Sequence, residues 1–146
     1  MKTKIKDIFT DRKKREIVSV SPKDTVYKAI QKMAKNKVGA VIVLVDEKPV
    51  GIFTERDYLN NIILRGLSSK RTKVEKVMTK QIAFVRTGDT VEKGLAIMNS
   101  KNCRHLPACE EGELFGVVSI GELVKVLIKD QKATIEYLNE YISLNY

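Results

Sequence analysis

The order of apolar and polar residues along this chain predicts one series of secondary-structure elements, and predicts it twice. Two short apolar runs, Ile17–Val20 and Ile82–Val85, are typical of strands. Each is followed by a segment whose apolar residues recur at helical spacing, so helices are predicted over Asp24–Asn36 and Asp89–Ser100. An aspartate at the start of each segment is a favourable N-cap, because its carboxylate can accept hydrogen bonds from unpaired backbone N–H groups.

Two more strands and a second helix complete each series. Ala40–Val45 is a continuous apolar run rich in β-branched residues, typical of a strand buried on both faces, and His105–Cys109 is its weaker copy. Polar turns lead to the last strands, and helices are predicted directly after them. The last strands are Val50–Thr54 and Phe115–Ser119, and the helices begin at Glu55 and Ile120. The predicted fold class is α+β, with two β-α-β-β-α repeats.

The two series are copies of one duplicated unit. Asp24-Thr25-Val26 recurs as Asp89-Thr90-Val91, and the same offset of 65 residues relates Gly51 to Gly116. The register runs without a gap from Ile17 to at least Leu59, which chance identity would not maintain.

A short amphipathic leader precedes each repeat, Lys4–Thr10 ahead of the first and Lys73–Thr79 ahead of the second. The leaders correspond at an offset of 69 residues rather than 65, which indicates a four-residue insertion after the first leader. The inserted region contains the basic run Arg12–Arg15. It is predicted to be a solvated surface loop, with a nucleic-acid contact as the alternative. The predicted domains are 1–66, the first repeat with its leader, and 67–146, the second repeat with a helical tail.

The last predicted helix can continue into a tail in which Ile135, Leu138 and Ile142 form one apolar stripe. That stripe is too apolar to be left in water, so we expect it to pack on the domain pair or on a second copy. No apolar run approaches the roughly 18 residues that a membrane span requires. The N-terminus lacks the apolar segment of a secretory signal, so we expect a cytoplasmic protein.

The composition of the chain limits the partners, reactions and metal sites that are expected. The formal net charge of +9 favours anionic partners, which include phosphorylated ligands, nucleic acid and acidic protein surfaces. The sequence contains no zinc finger and no stacked-aromatic RNA motif. It offers no nucleophile–base pair at recognisable spacing, so no enzyme is expected. Cys103, His105 and Cys109 are too few for a closed zinc site and are interpreted as strand residues without a metal.

The segment Gly51–Asp57 crosses from a strand end to a helix start, where unpaired N–H groups and the helix dipole favour an anion. Thr54 adds a hydroxyl for a phosphate or ribose oxygen, and the two oxygens of Asp57 suit the vicinal hydroxyls of a ribose. Gly51 allows close approach of a backbone or a ligand. The segment also fits a capping box, as does Ser119–Glu122, and taken alone it favours that structural role.

The order of motifs resembles the CBS domain, named after cystathionine β-synthase. Asp24-Thr25-Val26 at a helix start is followed by Val38–Val43 and then by Gly51–Asp57. The second copy matches with Arg104-His105-Leu106-Pro107 and Gly116–Leu123. The resemblance covers nearly the whole chain, as in a stand-alone CBS pair, or Bateman module. It implies two pseudo-symmetric repeats packed through their sheets and a homodimer formed through their helices.

The resemblance further implies two clefts between the repeats that hold an adenosine ligand. In each, the helix-start segment of one repeat holds ribose and phosphate, and strands of the other frame the base. The residues of the main cleft are Thr54, Asp57, Ile82, Ala83, Arg104 and His105. The residues of the second cleft are Ile17, Val18, Gly39, Ala40, Ser119 and Glu122.

The two clefts are predicted to be unequal. Glu122 stands where the family usually has aspartate, and its carboxylate lies one methylene further from the backbone. Gly39 and Ala40 supply no charge where Arg104 and His105 do. We therefore expect the main cleft to bind the nucleotide and the second to be weak, altered or empty. For His105 an alternative stays open, a half-buried strand residue hydrogen-bonded to backbone.

The expected function is a regulatory sensor that catalyses nothing, binds an adenosine compound and signals to an effector protein. AMP, ADP and ATP are the favoured ligands, S-adenosylmethionine and NAD(H) stay open, and no other cofactor is expected. The alternative is a basic module that binds nucleic acid or protein and has no nucleotide ligand.

Overall fold

The computed structural model describes residues 3–10 and 13–145, without the side chains of residue 141 and residues 143–145. The chain divides into two compact units. The first unit is the continuous segment Glu16–Ile82. The second joins the segment from Ala83 onwards to the segment up to Arg15, which contains the first leader. Each leader thus belongs to the unit of the other repeat, whereas the predicted boundaries of 1–66 and 67–146 follow the repeats along the sequence.

The first unit holds a three-stranded sheet of β1 (Ser19–Val20), β2 (Ala40–Val45) and β3 (Lys48–Thr54), in that order. β1 runs parallel to β2, and β2 pairs antiparallel with β3. The turn between β2 and β3 places Asp46 and Glu47 in the left-handed region, with φ angles of 51° and 65°. The elements are β1 (Ser19–Val20), α1 (Val26–Asn36), β2 (Ala40–Val45), β3 (Lys48–Thr54), α2 (Glu55–Tyr58), a π-helical segment (Leu59–Ile63) and a 3-10 turn (Val74–Lys76).

The second unit repeats this arrangement with a sheet of β4 (Val85–Arg86), β5 (His105–Glu110) and β6 (Glu113–Ser119), in that order. β4 is parallel to β5, and β5 is antiparallel to β6. Its last helix is far longer than its counterpart in the first unit. The elements are a 3-10 turn (Ile5–Ile8), β4 (Val85–Arg86), α3 (Val91–Lys101), β5 (His105–Glu110), β6 (Glu113–Ser119) and α4 (Ile120–Asn145). The predicted α+β series is confirmed in both units. The first strand of each is shorter than predicted, since β1 overlaps Ile17–Val20 only at Ser19–Val20 and β4 overlaps Ile82–Val85 only at Val85.

The helix caps differ from the prediction by one residue. Thr25 is the N-cap of α1 and accepts a hydrogen bond from the N–H of Lys28, and Thr90 caps α3 in the same way. The aspartates predicted as caps instead close the preceding turns. Asp24 accepts from the N–H of Ser21, and Asp89 from that of Arg86, each at 2.8 Å. A threonine placed directly before the first helical turn satisfies the orphan N–H, which leaves the aspartate for the turn.

Each leader is joined to the opposite repeat by matching backbone hydrogen bonds. The N–H of Ile5 donates to the carbonyl of Asp89 at 2.8 Å, and that of Val91 donates to Thr3 at 3.0 Å. In the first unit the N–H of Val74 donates to Asp24 at 2.9 Å. These hydrogen bonds join equivalent residues in the two units. Each leader therefore packs on the other repeat in the same way.

Apolar side chains of each sheet, helix and adopted leader form one core in each unit. The buried core of the first unit is Val20, Val26, Ala29, Met33, Val41, Val43, Phe53, Ile62, Val74 and Val77. That of the second unit is Ile5, Phe9, Val85, Val91, Met98, Leu106, Ala108, Val118 and Leu123. Both leaders therefore contribute fully buried side chains to the cores that position the candidate sites.

Helix α4 continues through the tail, as predicted, but its apolar stripe does not pack on the domain pair. The side chains of Ile135, Leu138 and Ile142 are 58%, 50% and 53% exposed. The expectation that the stripe packs on the domain pair is wrong for this structure, and packing on a second copy stays a prediction. Within the described part of the chain, no helix is long and apolar enough to cross a membrane.

Candidate functional site

The end of β3 and the start of α2 form the first candidate site. Thr54 Oγ1 accepts a hydrogen bond from the N–H of Asp57 at 3.1 Å, and Asp57 Oδ2 accepts one from the N–H of Thr54 at 3.0 Å. The two residues predicted to hold a ligand therefore form a complete capping box. The capping box uses one hydrogen bond to the carboxylate of Asp57. Other acceptor positions stay available, because a carboxylate has about four of them.

The remaining acceptor positions of Asp57 face a hydroxyl of the adopted leader. Thr79 Oγ1 donates to Asp57 at 3.1 Å from Oδ1 and 3.3 Å from Oδ2. Burial raises the pKa of Asp57 above its ordinary value of 3.8, while hydrogen bonds from Thr54 and Thr79 and the charge of Arg56 act in the opposite direction. A half-buried carboxylate that accepts from a neutral hydroxyl can exchange that partner for another hydroxyl at small net cost.

Gly51 allows the leader to approach β3. A Cβ atom at this position would lie 2.5 Å from the sulfur of Met78 and 3.1 Å from the carbonyl oxygen of Thr79. The N–H groups of Ile52 and Thr79 each donate to the other's carbonyl at 2.9 Å. The close approach expected at Gly51 is therefore made by backbone and side chain of the leader, which fixes Thr79 beside Asp57.

Two residues assigned by sequence to the second cleft adjoin Thr54 within the first unit. Ala40 pairs with Thr54 across β2 and β3, and the carbonyl of Gly39 accepts from the N–H of Glu55 at 3.1 Å. Three further predicted residues of this unit are half-buried, namely Ile17, Val18 and Ile82. Each predicted set combines residues of both units, so the assembly of either set stays a prediction.

The end of β6 and the start of α4 form the corresponding site of the second unit. Glu122 Oε1 accepts from the N–H of Ser119 at 3.1 Å, and Ser119 Oγ accepts from the N–H of Glu122 at 3.2 Å. The longer side chain of Glu122 thus still closes a capping box. His105 is a half-buried strand residue paired with Ser119, and the carbonyl of Arg104 accepts from the N–H of Ile120 at 2.9 Å. Their contacts with a ligand, and those of the half-buried Ala83, stay predictions.

Sequence reasoning missed Thr79 in the first unit and, in the second, Arg15. Its Nη1 and Nη2 atoms lie 3.2 and 2.6 Å from Oε1 and Oε2 of Glu122, in a bidentate ion pair. Nη1 also donates to the carbonyl of Val117 at 3.1 Å. The basic run was predicted to be a solvated loop, which is wrong for Arg15, while Asp11 and Arg12 lie outside the described residues. Two features of the sequence point to this ion pair. The insertion after the first leader contains several cations, and the second repeat has Glu122 where the first has Asp57.

The guanidinium of Arg15 makes in the second unit contacts that correspond to those of Thr79 in the first, although Thr10 is the counterpart of Thr79 in the leader register. Thr79 bonds the backbone of Ile52 and the carboxylate of Asp57, and Arg15 bonds the counterparts Val117 and Glu122. Burial raises the pKa of Glu122, but the hydrogen bond and charge of Arg15, with hydrogen bonds from Ser119, outweigh it and leave the pKa below its ordinary value of 4.5. The two sites therefore share a scaffold and differ in the electrostatics of their carboxylates.

The opposite pKa shifts predict opposite responses to neutralisation. The pKa of Asp57 is raised, so its ionisation costs stability as pH rises through the folded-state pKa, and Asp57→Asn is expected to be neutral or stabilising at neutral pH. The pKa of Glu122 is lowered, so its contribution is present above 4.5 and is lost as pH falls through the folded-state pKa. Glu122→Gln is expected to cost about 1 kcal/mol at neutral pH, since both partners are partly solvated.

Urea unfolding of the wild type and of both variants, above and below pH 4.5, measures these effects. Each capping box can persist in the variants, because the amide oxygen of Asn or Gln still accepts from the backbone N–H. A larger loss of stability at neutral pH from Asp57→Asn than from Glu122→Gln would contradict the assignment.

Cys109 lies on β5, as predicted, whereas Cys103 precedes that strand and is not a strand residue. Cys103 and Cys109 do not form a disulfide, and burial raises the pKa of the Cys109 thiol. Cys103 packs against the core of the second unit. Across residues 3–10 and 13–145, no group of three or more potential metal ligands is found.

The family model of the CBS domain matches residues 5–64 and 74–129, which is most of the chain and both repeats with their leaders. The chain belongs to the CBS domain family. Its structure is similar to that of a protein with CBS domains from Burkholderia ambifaria, with a TM-score of 0.80, 39% identity and coverage of 87% of this chain and 93% of that one. CBS pairs of this kind are regulatory modules.

Two other proteins are similar to this chain. The mitochondrial CBS domain-containing protein CBSX3 of Arabidopsis thaliana is 37% identical over 131 residues, which are 84% of this chain and 62% of that protein. This chain therefore matches less than two thirds of that relative's length. A CBS domain protein of Pyrobaculum aerophilum complexed with AMP has a TM-score of 0.71 and 25% identity, with coverage of 82% of this chain and 89% of that one.

Proposed function

We propose that this CBS pair is a non-catalytic sensor that binds an adenosine nucleotide through the helix-start segment of its first repeat. The observation that carries the proposal is the carboxylate of Asp57. It is half-buried, its pKa is raised by burial, and it accepts a hydroxyl hydrogen bond from Thr79. A half-buried carboxylate whose pKa is raised by burial, and whose oxygens also face a hydroxyl, is a candidate binding group as well as a cap.

The chemistry of a ribose matches this position. Its vicinal hydroxyls can donate to the two oxygens of Asp57 in place of the hydroxyl of Thr79, so one set of neutral donors replaces another. Thr54 stands at the start of a helix, where a phosphate would be favoured by backbone N–H groups. The AMP complex of the P. aerophilum protein supports an adenosine nucleotide as the ligand.

The other predicted contacts of this ligand are Ile82 of the first unit and three residues of the second, Ala83, Arg104 and His105. Arg104 and His105 would favour a ligand with one to three phosphates. AMP, ADP and ATP are therefore preferred as ligands over S-adenosylmethionine and NAD(H). Binding would favour the conformation that holds the ligand best, and an effector protein would read that change. We also propose a cytoplasmic homodimer, in accordance with the resemblance to other CBS pairs.

Thermal unfolding with AMP, ADP, ATP, S-adenosylmethionine and NADH tests the proposal. A ligand at roughly a hundred times its dissociation constant should stabilise the wild type by about 2.7 kcal/mol, a shift of a few degrees. Asp57→Asn should fold normally and lose this shift, because its amide keeps the cap but not the two acceptor oxygens. Asp46→Asn, at an exposed turn of the same unit, removes an equal charge and should retain it. If no adenosine ligand shifts the wild type, Thr54 and Asp57 are a capping box only.

Nucleic-acid binding is the second candidate, and the net charge of +9 favours it. A mobility-shift assay at two salt concentrations distinguishes the two functions. Binding driven by phosphate contacts falls steeply with salt and should be unaffected by Asp57→Asn. Salt-sensitive binding in the absence of any thermal shift with nucleotides would favour this candidate.

A further inference from the structure

The four-residue insertion after the first leader makes the two repeats chemically different at equivalent positions. In the first unit Asp57 accepts from the neutral hydroxyl of Thr79 at 3.1 Å. In the second unit both oxygens of Glu122 are bound by the guanidinium of Arg15, at 3.2 and 2.6 Å. The repeat relates Asp57 to Glu122 at the offset of 65 residues, so one potential ribose acceptor is paired with a hydroxyl and the other with a cation.

We propose that Arg15 is a built-in counter-ion that closes the second helix-start site to ribose, so that each chain binds one adenosine ligand, at Asp57. This inference rests on the proposed function. It attributes the number of adenosine ligands bound per chain to one residue, Arg15. A ribose at Glu122 would have to replace a bidentate, charge-assisted pair with neutral hydrogen bonds. At Asp57 the same ribose replaces one hydroxyl with another.

Arg15 is held by four groups besides its own backbone, and this makes it a fixed part of the site. The guanidinium carbon lies 4.7 Å from the centroid of the Phe9 ring, in a cation–π contact. Nη1 donates to the carbonyl of Val117, and both nitrogens bind Glu122. The Arg15 Cβ lies 3.3 Å from the point where a Cβ on Gly116 would stand, so the stem lies directly on β6.

The backbone of Arg15 is fixed as well. Its N–H donates to the carbonyl of Phe115 at 2.9 Å. The side chain is only 34% exposed and that of Glu122 33%, so water does not fully screen the pair. The lowered pKa of Glu122 is consistent with this, since the carboxylate is stabilised in its ionised form. A ligand would therefore have to displace an ordered, partly desolvated ion pair.

Two other differences between the repeats provide an alternative explanation. Glu122 is one methylene longer than Asp57, and Gly39 and Ala40 carry no charge where Arg104 and His105 do. If these differences close the second site, removal of Arg15 will not open it. If Arg15 closes it, removal of the cation alone is sufficient.

Isothermal titration calorimetry with AMP, repeated with ATP, separates the two explanations. The variants are Asp57→Asn, Arg15→Met and the double variant. Methionine keeps an apolar stem on Phe9 and Gly116 and removes the donors, and Arg15→Gln is the second variant if Arg15→Met folds poorly. Arg15→Lys keeps the positive charge on Glu122 and is the matched control.

The wild type and Arg15→Lys are expected to bind one AMP per chain, and Asp57→Asn none. Arg15→Met is expected to bind a second AMP, and the double variant to retain one, at Glu122. Two sites in the wild type, or no binding by a folded double variant while the wild type binds one, would overturn the role of Arg15 and leave the proposed function intact. No binding of either nucleotide by the wild type would overturn the proposed function and this inference with it.

Discussion

Ile5→Ala is expected to destabilise the second unit by about 2–5 kcal/mol, the usual cost of removing a large aliphatic side chain from a core. Ile5 is fully buried although it lies near the start of the chain. Its Cδ1 atom reaches α3 and lies 3.2 Å from the point where a Cβ on Gly94 would stand. The space left by alanine would be lined by Gly94 and Leu123, and a glycine has no side chain with which to fill it.

Hydrogen exchange measures where the loss of stability appears. Ile5→Ala should lower the protection of amides in α3, β5 and β6, because the leader belongs to the core of the second unit. Val74→Ala is the mirror variant and should lower protection in α1, β2 and β3. If Ile5→Ala instead weakens β2 and β3 first, each leader packs on its own repeat and the exchange of leaders is contradicted.

The sheets and helices could be predicted from sequence because their patterns are local. Ala40–Val45 is an uninterrupted apolar run, and the strand has those bounds. Both final helices begin at the predicted residues, Glu55 and Ile120. A strand or helix of this kind is determined by which side chains face the core, and this is visible within a window of ten residues.

The exchange of leaders could not be predicted, because it depends on pairing between distant segments. Ile5 and Val74 have the same amphipathic surroundings, and either leader could pack on either repeat by pattern alone. The hydrogen bonds that decide the partner join Ile5 to Asp89 and Val74 to Asp24. Backbone donors and acceptors are present at every residue, so the sequence carries no specific sign of such a pairing.

The candidate site shows the same limit. Its local part, Thr54 and Asp57, could be identified from sequence because a capping box is a local motif. The donors to the two carboxylates are Thr79, from the second leader, and Arg15, from the insertion after the first leader, and both lie in other segments of the sequence. The exposed stripe of α4 is a related case. Its helical pattern is local and was predicted correctly, whereas its burial depends on a partner surface, which a pattern does not specify.

Phe9→Ala is expected to cost about 3–5 kcal/mol, and the cost should be partly recovered by a second substitution, Gly116→Ala. The Phe9 ring is 2% exposed and lies edge-on to Phe115 with centroids 4.9 Å apart. A Cβ on Gly116 would stand 2.5 Å from Cε1 of Phe9. Gly116→Ala alone should therefore cost about 1–3 kcal/mol through overpacking.

In the Phe9→Ala background the new methyl group would enter the space that the ring has left. The two substitutions should then be coupled by at least about 1 kcal/mol, with the double variant more stable than the sum of the single effects predicts. Chemical denaturation of the four proteins measures the cycle. Gly51→Ala is the control in the first unit. Its Cβ would meet the flexible thioether of Met78 and also the backbone carbonyl of Thr79 at 3.1 Å, so it should destabilise on its own but show no coupling with Phe9→Ala. Additive effects of Phe9→Ala and Gly116→Ala would show that Phe9 does not rest against β6, and would remove the platform on which Arg15 is held.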